Sequence, residues 1–145
     1  MTDTPILRHA ETDAEVMACF GIMQQLRPHL QSSEDFLARV ALQRAQGYRL
    51  LAIWDGNKPV ALAGYRRIDN LIHGRFIYVD DLITDAAARG QGHGACLLDE
   101  LRTLGRADNC NRIVLDTALA NALAQRFYFR FGLLASGLHF SMGLQ

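Results

Sequence analysis

The chain has 145 residues, half of them hydrophobic, with fifteen Lys and Arg balancing fifteen Asp and Glu. That length fits one domain spanning 1–145 with a proper buried core. A net charge of zero gives no overall field to draw nucleic acid or an anionic membrane, and no apolar run is long enough to span a bilayer.

Met1-Thr2-Asp3-Thr4-Pro5 at the start has neither the basic nor the apolar region of a secretory leader. Ile6 to Ala10 reads as a first or edge strand. Thr12 followed by Glu15 has capping-box spacing, and Val16, Phe20 and Met23 form a helical stripe that Pro28 ends. Ser32 and Asp35 repeat the signal for a second helix running up to Gly47. Tyr48–Trp54 and Val60–Ile68 are predicted as two strands of a hairpin about Asp55–Pro59. A further strand covers Arg75–Thr84, where Ile77, Val79 and Ile83 share one parity. Phe76, Tyr78, Asp80, Leu82 and Thr84 share the other, unless a bulge swaps Asp80 for Asp81. After it come a glycine loop, Arg89-Gly90-Gln91-Gly92-His93-Gly94, and a helix burying Leu97, Leu98, Leu101 and Leu104. Arg112–Asp116 is predicted as a strand, Asn121–Phe131 as a helix stopped by Gly132, and Leu133–Leu144 as a closing strand. The expected order is β-α-α-β-β-β-α-β-α-β: an α/β (α+β) fold, one mixed, mostly antiparallel sheet with helices on both faces.

Cys19, Cys96 and Cys110 are spaced for neither a zinc site nor a redox pair, and read as small buried hydrophobes. Their number fits a reducing cytoplasm. His9, His29 and His73 read as surface or turn residues.

The glycine loop carries the chemistry. Glycines let backbone N–H groups approach a ligand, the helix behind them offers unsatisfied N–H groups, and Arg89 adds a charged donor, so the stretch reads as a phosphate cradle. A nucleotide P-loop needs Lys-Ser/Thr after its last glycine, where Ala95-Cys96 stands. Gly90-x-Gly92-x-x-Ala95 fits a permissive dinucleotide fingerprint, but that belongs in the first βα turn of a parallel unit, not after an antiparallel hairpin.

Arg89-x-x-Gly92-x-Gly94 between strand and helix resembles the acetyl-CoA motif of the GNAT N-acetyltransferases. Leu115, Asn121, Ala124, Tyr128 and Gly132-Leu133 resemble their next motif, with Leu133 in place of the usual Phe. The order of elements is similar along most of the chain, and the motifs lie within residues 78–133. The resemblance implies acetyl-CoA as cosubstrate and no metal. It implies pyrophosphate on the backbone of Arg89, Gly90, Gln91, Gly92, His93 and Gly94, and the pantetheine arm on Leu82, Ile83 and Thr84. Asn121 would bond that arm, Leu82 N–H would polarise the thioester carbonyl, and Tyr128 would be the acid at the sulfur.

A lysine-like amine with a pKa near ~10.4 is neutral in about one molecule per few thousand at pH 7, so a base or water chain is useful. Asp80 and Asp81, side by side in an apolar strand, are the candidate bases, beside His139 or water. The expected activity is acetyl transfer to a primary amine of a small molecule or peptide, with neither nucleic acid nor membrane as partner. A homodimer could form through an exposed edge strand. The alternative is a non-catalytic CoA-binding domain. Acceptor specificity is expected from the first two helices, their connection at Arg27-Pro28-His29, and residues 67–75.

Overall fold

The starts of the α-helices at Asp13, Ser33 and Ala122 follow from a local side-chain cap. In the computed structural model, which describes residues 4–145, the Thr12 hydroxyl accepts the Glu15 N–H at 3.1 Å and the Glu15 carboxylate accepts the Thr12 N–H at 3.0 Å. This capping box opens α1, Asp13–Ala18. Met1–Asp3, which begin the stretch read for a leader, lie outside the described residues. The chain forms two compact units, one reaching to Val114 and one of Leu115–Gln145. Each is described in turn.

The first unit begins with β1, Ile6–His9, and α1. The single helix expected up to Pro28 is broken at Cys19, whose N–H bonds to Val16 O three residues back. That tightened turn starts α2, Phe20–Leu26, and puts Val16, Cys19, Ile22 and Met23 all in the core. Ser32 caps α3, Ser33–Arg44, by accepting the Asp35 N–H at 3.0 Å. Strands β2 (Arg49–Asp55), β3 (Lys58–Asn70) and β4 (Gly74–Thr84) then form an antiparallel meander, with β1 outside β2. A 3-10 turn at Ala86–Ala88, not anticipated from the sequence, leads to α4, His93–Ala107. Strand β5, Ile113–Leu115, completes the sheet order β1-β2-β3-β4-β5.

Helices cover both faces of this mixed sheet. On one, Val16, Met23, Phe36 and Val40 pack with Tyr48, Leu50, Trp54 and Leu62. On the other, α4 lies along β2, β3 and β4 with Leu97, Leu98 and Leu101 fully buried. Gly105 lets α4 close on β4, since a Cβ there would stand 3.0 Å from Ile77 Cδ1. Of the three cysteines only Cys19 is buried; Cys110 is partly exposed and Cys96 exposed, because Cys96 falls on the outer face of α4. No helix among the described residues is long and apolar enough to cross a membrane.

In the second unit Asn121 caps α5, Ala122–Phe131, and Gly132 ends it at φ 110°. The closing strand expected over Leu133–Leu144 is not formed. Its alternating apolar residues stay exposed, Phe140 to 86 % and Leu144 to 92 %. Alternation specifies which face a strand would bury; it does not supply the partner.

The capping box also sets an acid limit. Thr12 N–H, then Glu11 N–H and Arg8, hold the Glu15 carboxyl down to about 2 from the ordinary 4.5. A lowered folded-state value stabilises above the unfolded value and is lost as pH falls through the folded one. Urea midpoints of the wild type should therefore fall between pH 4.5 and 2 more steeply than those of Glu15→Gln; parallel profiles would refute the assignment.

Candidate functional site

Strand β4 is not regular where its two aspartates lie. It pairs with β3 in step from Asn70 opposite Gly74 to Tyr65 opposite Val79, and again from Gly64 opposite Asp81 to Ala61 opposite Thr84. Asp80 is left over, a one-residue bulge. Ile77 N–H, below the bulge, donates to Arg112 O on the β5 side at 2.9 Å, whereas Asp85 N–H, above it, donates to Val60 O beside β3 at 2.9 Å. Antiparallel backbone groups alternate between edges at every residue. Counting back from Asp85, the groups of Ile83 and Asp81 turn to β3, and those of Leu82 and Thr84 turn away from it. Without the bulge, counting on from Ile77 would reverse this. The bulge thus decides that Leu82 offers its N–H and C=O at the strand's other edge, while Ile83 belongs to the ladder and packs its side chain on the helical core.

Side-chain directions shift as well. Strict alternation groups Asp80 with Leu82 and Thr84; instead both aspartates share the face of Tyr78, while Leu82 and Thr84 stand on the opposite face with Ala63 and Ala61. Neither carboxylate is left unpaired. Arg66 Nε and Nη2 each donate to Asp80 at 2.8 Å in a two-pronged ion pair, and Asp80 is 18 % exposed. Arg27 Nε donates to Asp81 Oδ1 at 3.0 Å, Tyr48 OH donates to Asp81 Oδ2 at 2.8 Å, and Asp81 is 12 % exposed. Arg27 Nη2 also donates to the carbonyl of Asp80 at 2.8 Å, fastening the bulge itself.

Gly64 makes this possible. A Cβ there would sit 1.8 Å from Tyr48 OH and 2.5 Å from Cζ, so only glycine admits the phenol over the strand. Burial, then the negative Asp81, push the Tyr48 hydroxyl well above its usual range, so it remains a donor. The sequence signals missed Tyr48, Gly64 and Arg66. Each is an unremarkable residue locally, and their partners lie between 14 and 33 residues away.

At the far end of β4, Gln25 accepts the Ala86 N–H at 3.0 Å and donates to Asp85 at 3.0 Å, tying α2 to the approach of the glycine loop. Gly90 and Gly92 hold φ 80° and 79°, a region costly for other residues. The helix starts at His93, so His93 and Gly94 are its first turn and not loop, as the motif suggested. α1, α3 and α5 each have a side-chain cap, and α1 and α3 carry acids in their first turns. α4 has neither: Gly92 is its cap, no side chain bonds its N–H groups, and no acid stands in the first turn. This end is open to an anion, with Arg89 preceding it.

In the second unit, Asn121 Oδ1 accepts the Ala124 N–H at 3.2 Å, which leaves the amide nitrogen as its donor end. Tyr128 lies two turns on, half-buried beside Phe127, and burial raises its hydroxyl above the ordinary value. His139, outside any strand, has Nδ1 3.4 Å from Asp116 Oδ2, both side chains well exposed. His9 is not a surface residue as expected: it sits partly buried in β1 with Nε2 2.8 Å from Tyr65 OH.

A cleft of about 300 Å³ opens over the helical face beside Asp81. Arg27 and His29 line it, together with Arg39 and Leu42 of α3, the second of the two helices the sequence pointed to. Residues 67–75 line a different place; Arg67 and Arg75 fasten their hairpin to Asp108 at the end of α4. Among the described residues no group of three or more His, Cys, Asp or Glu could hold a metal ion.

The sequence profile of the Acetyltransferase (GNAT) family matches residues 10–133. The uncharacterized N-acetyltransferase YhdJ of Bacillus subtilis (strain 168) is 30% identical over 110 residues, 75% of this chain and 77% of that protein. Among solved structures, the aminoglycoside N-acetyltransferase AAC(6')-Iy in complex with CoA superposes with a TM-score of 0.82 at 15% identity, over 98% of this chain and 96% of that one. Glucosamine-6-phosphate N-acetyltransferase from Arabidopsis thaliana gives 0.78 at 18% identity, over 99% and 100%. At these identities the structural likeness is one of fold.

Gly64→Ala should destabilise the first unit by about 2–3 kcal/mol through overpacking against Tyr48. Tyr48→Phe, which leaves one Asp81 oxygen short of a donor, should cost about 1–2 kcal/mol. Urea unfolding measures both, and an unchanged midpoint in Gly64→Ala would contradict the close approach.

Proposed function

Because the chain belongs to the acetyltransferase (GNAT) family, we propose that it moves an acetyl group from acetyl-CoA to a primary amine by direct attack. The observation that carries this reading is the start of α4: glycines at positive φ, no side-chain cap and no acid, with Arg89 in front. The pyrophosphate of the coenzyme is the anion such an end accommodates, on backbone from Arg89 through Gly90, Gln91, Gly92 and His93 to Gly94. The CoA bound by the aminoglycoside enzyme of similar fold supports the same choice of ligand.

The roles of the strand end, Asn121 and Tyr128 are those that the family resemblance implies. The pantetheine arm runs along the strand end at Leu82, Ile83 and Thr84, where Leu82 and Thr84 turn backbone groups outwards. Leu82 N–H meets the thioester oxygen as negative charge develops there. The amine nitrogen bonds to the acetyl carbon, the C–S bond breaks, and the departing thiolate takes a proton from Tyr128. Burial holds the Tyr128 hydroxyl above its ordinary value, so it is protonated when the thiolate departs. Asn121 offers its amide to the arm. Asp81 lines the cleft with both oxygens already accepting bonds, which suits it to anchor the incoming ammonium. Asp80 shapes the strand through its Arg66 pair. Water takes the proton that turns the ammonium into the neutral amine, and carries the proton the nitrogen loses on acylation back to the Tyr128 phenolate.

Release of free CoA, followed over a panel of amines, tests the assignment. Tyr128→Phe should lower kcat by about 100-fold, with the KM for acetyl-CoA within about threefold of wild type. Gly92→Ala, forced to φ 79°, should raise that KM by about tenfold. Tight acetyl-CoA binding with no CoA release on any amine would sink the enzyme reading in favour of a CoA-binding domain.

A further inference from the structure

The cleft beside Asp81 is where an acceptor would wait if the strand end holds the thioester, so an acceptor assigned to it rests on the transferase reading. Its size, about 300 Å³, is that of a small-molecule site. Its chemistry is uneven. Met23, Leu30 and Phe36 form a buried apolar floor, and Leu42, 72 % exposed, leaves an apolar rim uncovered. The basic side chains on the lining are Arg27, His29 and Arg39, against the single carboxylate of Asp81. Tyr48 and Arg27 already donate to that carboxylate.

One ammonium can be anchored there, but a second would find no further carboxylate on the lining and two guanidiniums, the nearby Asp35 being paired with Arg39. A polycationic acceptor is therefore disfavoured by like charge. Arg39 points the other way. Its Nε donates to Asp35 at 3.1 Å in an exposed pair one helical turn apart, an interaction of small worth that leaves its terminal N–H groups for a ligand. From this we infer that the acceptor carries one amine and one anionic group, a carboxylate being the simplest, on an apolar body that covers Leu42. The amine sits by Asp81 and the anion by Arg39 and His29, or by Arg27 where the two groups share one carbon.

The test measures equilibrium binding to the full chain with acetyl-CoA present, and CoA release in the same samples. The probes are L-phenylalanine (carboxylate beside the amine), 6-aminohexanoate (carboxylate distant), the amide of each, spermidine and kanamycin. The expected result is that one of the acids binds about tenfold tighter than its amide and tighter than both polycations. Which acid it is locates the anion. Arg39→Gln should bring the acid-over-amide ratio of 6-aminohexanoate to within about twofold, and Leu42→Glu should weaken either acid by about fivefold. Both positions are exposed, and unchanged unfolding midpoints would confirm intact folding.

Equal binding of acid and amide, tighter binding of spermidine or kanamycin, binding by neither acid, or failure of Leu42→Glu to weaken the acid would each overturn the inference. CoA release separates it from the parent reading. Preferred acetylation of a polycation defeats this inference while the transferase stands. Acid-selective binding without release on any amine defeats the transferase while the cleft stands.

Discussion

The bulge at Asp80 holds its place because Arg27, Tyr48, Gly64 and Asp81 close around it. A bulge alone is a local loss: an unpaired residue and a broken ladder. Here the loss is offset by a phenol that only a glycine opposite would admit, by an arginine that bonds carboxylate and carbonyl together, and by a second arginine forked onto Asp80. What the cluster controls lies just beyond it. A strand that has slipped by one residue presents Leu82 and Thr84 to the outside where it would have presented Asp81 and Ile83. The aspartates in the middle of an apolar strand are thus explained first as the material of this joint.

A similar exchange operates at α4. This is the longest helix, yet, like the short α2, it lacks both the side-chain cap and the first-turn acid that α1 and α3 possess. A missing cap costs about 1 kcal/mol. Burying Leu97, Leu98 and Leu101 contributes roughly 2 kcal/mol each. The apolar face can therefore hold the helix while its first N–H groups are left for something other than protein. Tertiary packing decides where the helix lies; the glycines decide that its end stays bare.

What could be read from the sequence was what is local. Thr12 with Glu15, Ser32 with Asp35, and Gly92 before a run of leucines announce their helices within a few residues, and the meander was visible in its turns. The break at Cys19 has no such mark, because it depends on which residues the core takes in. The bulge was conceivable but not placeable: Asp80 and Asp81 look alike in sequence, and the deciding residues are Tyr48 and Gly64. The closing strand failed for the opposite reason. Leu134, Leu138, Phe140, Met142 and Leu144 alternate as a strand should, yet pairing is a property of a neighbour and not of the alternating segment.

The contact between Tyr48 and Gly64 also constrains history. With a hydroxyl 1.8 Å from where a Cβ would be, position 64 can gain a side chain only after position 48 has lost its ring. Once the ring is gone, Asp81 has lost a donor, and only the two arginines, Arg27 and Arg66, hold the joint. The order of substitutions is therefore not free. A lineage leaving this arrangement has to pass through a weakened intermediate. The four positions form one packed unit, to be kept whole or rebuilt whole.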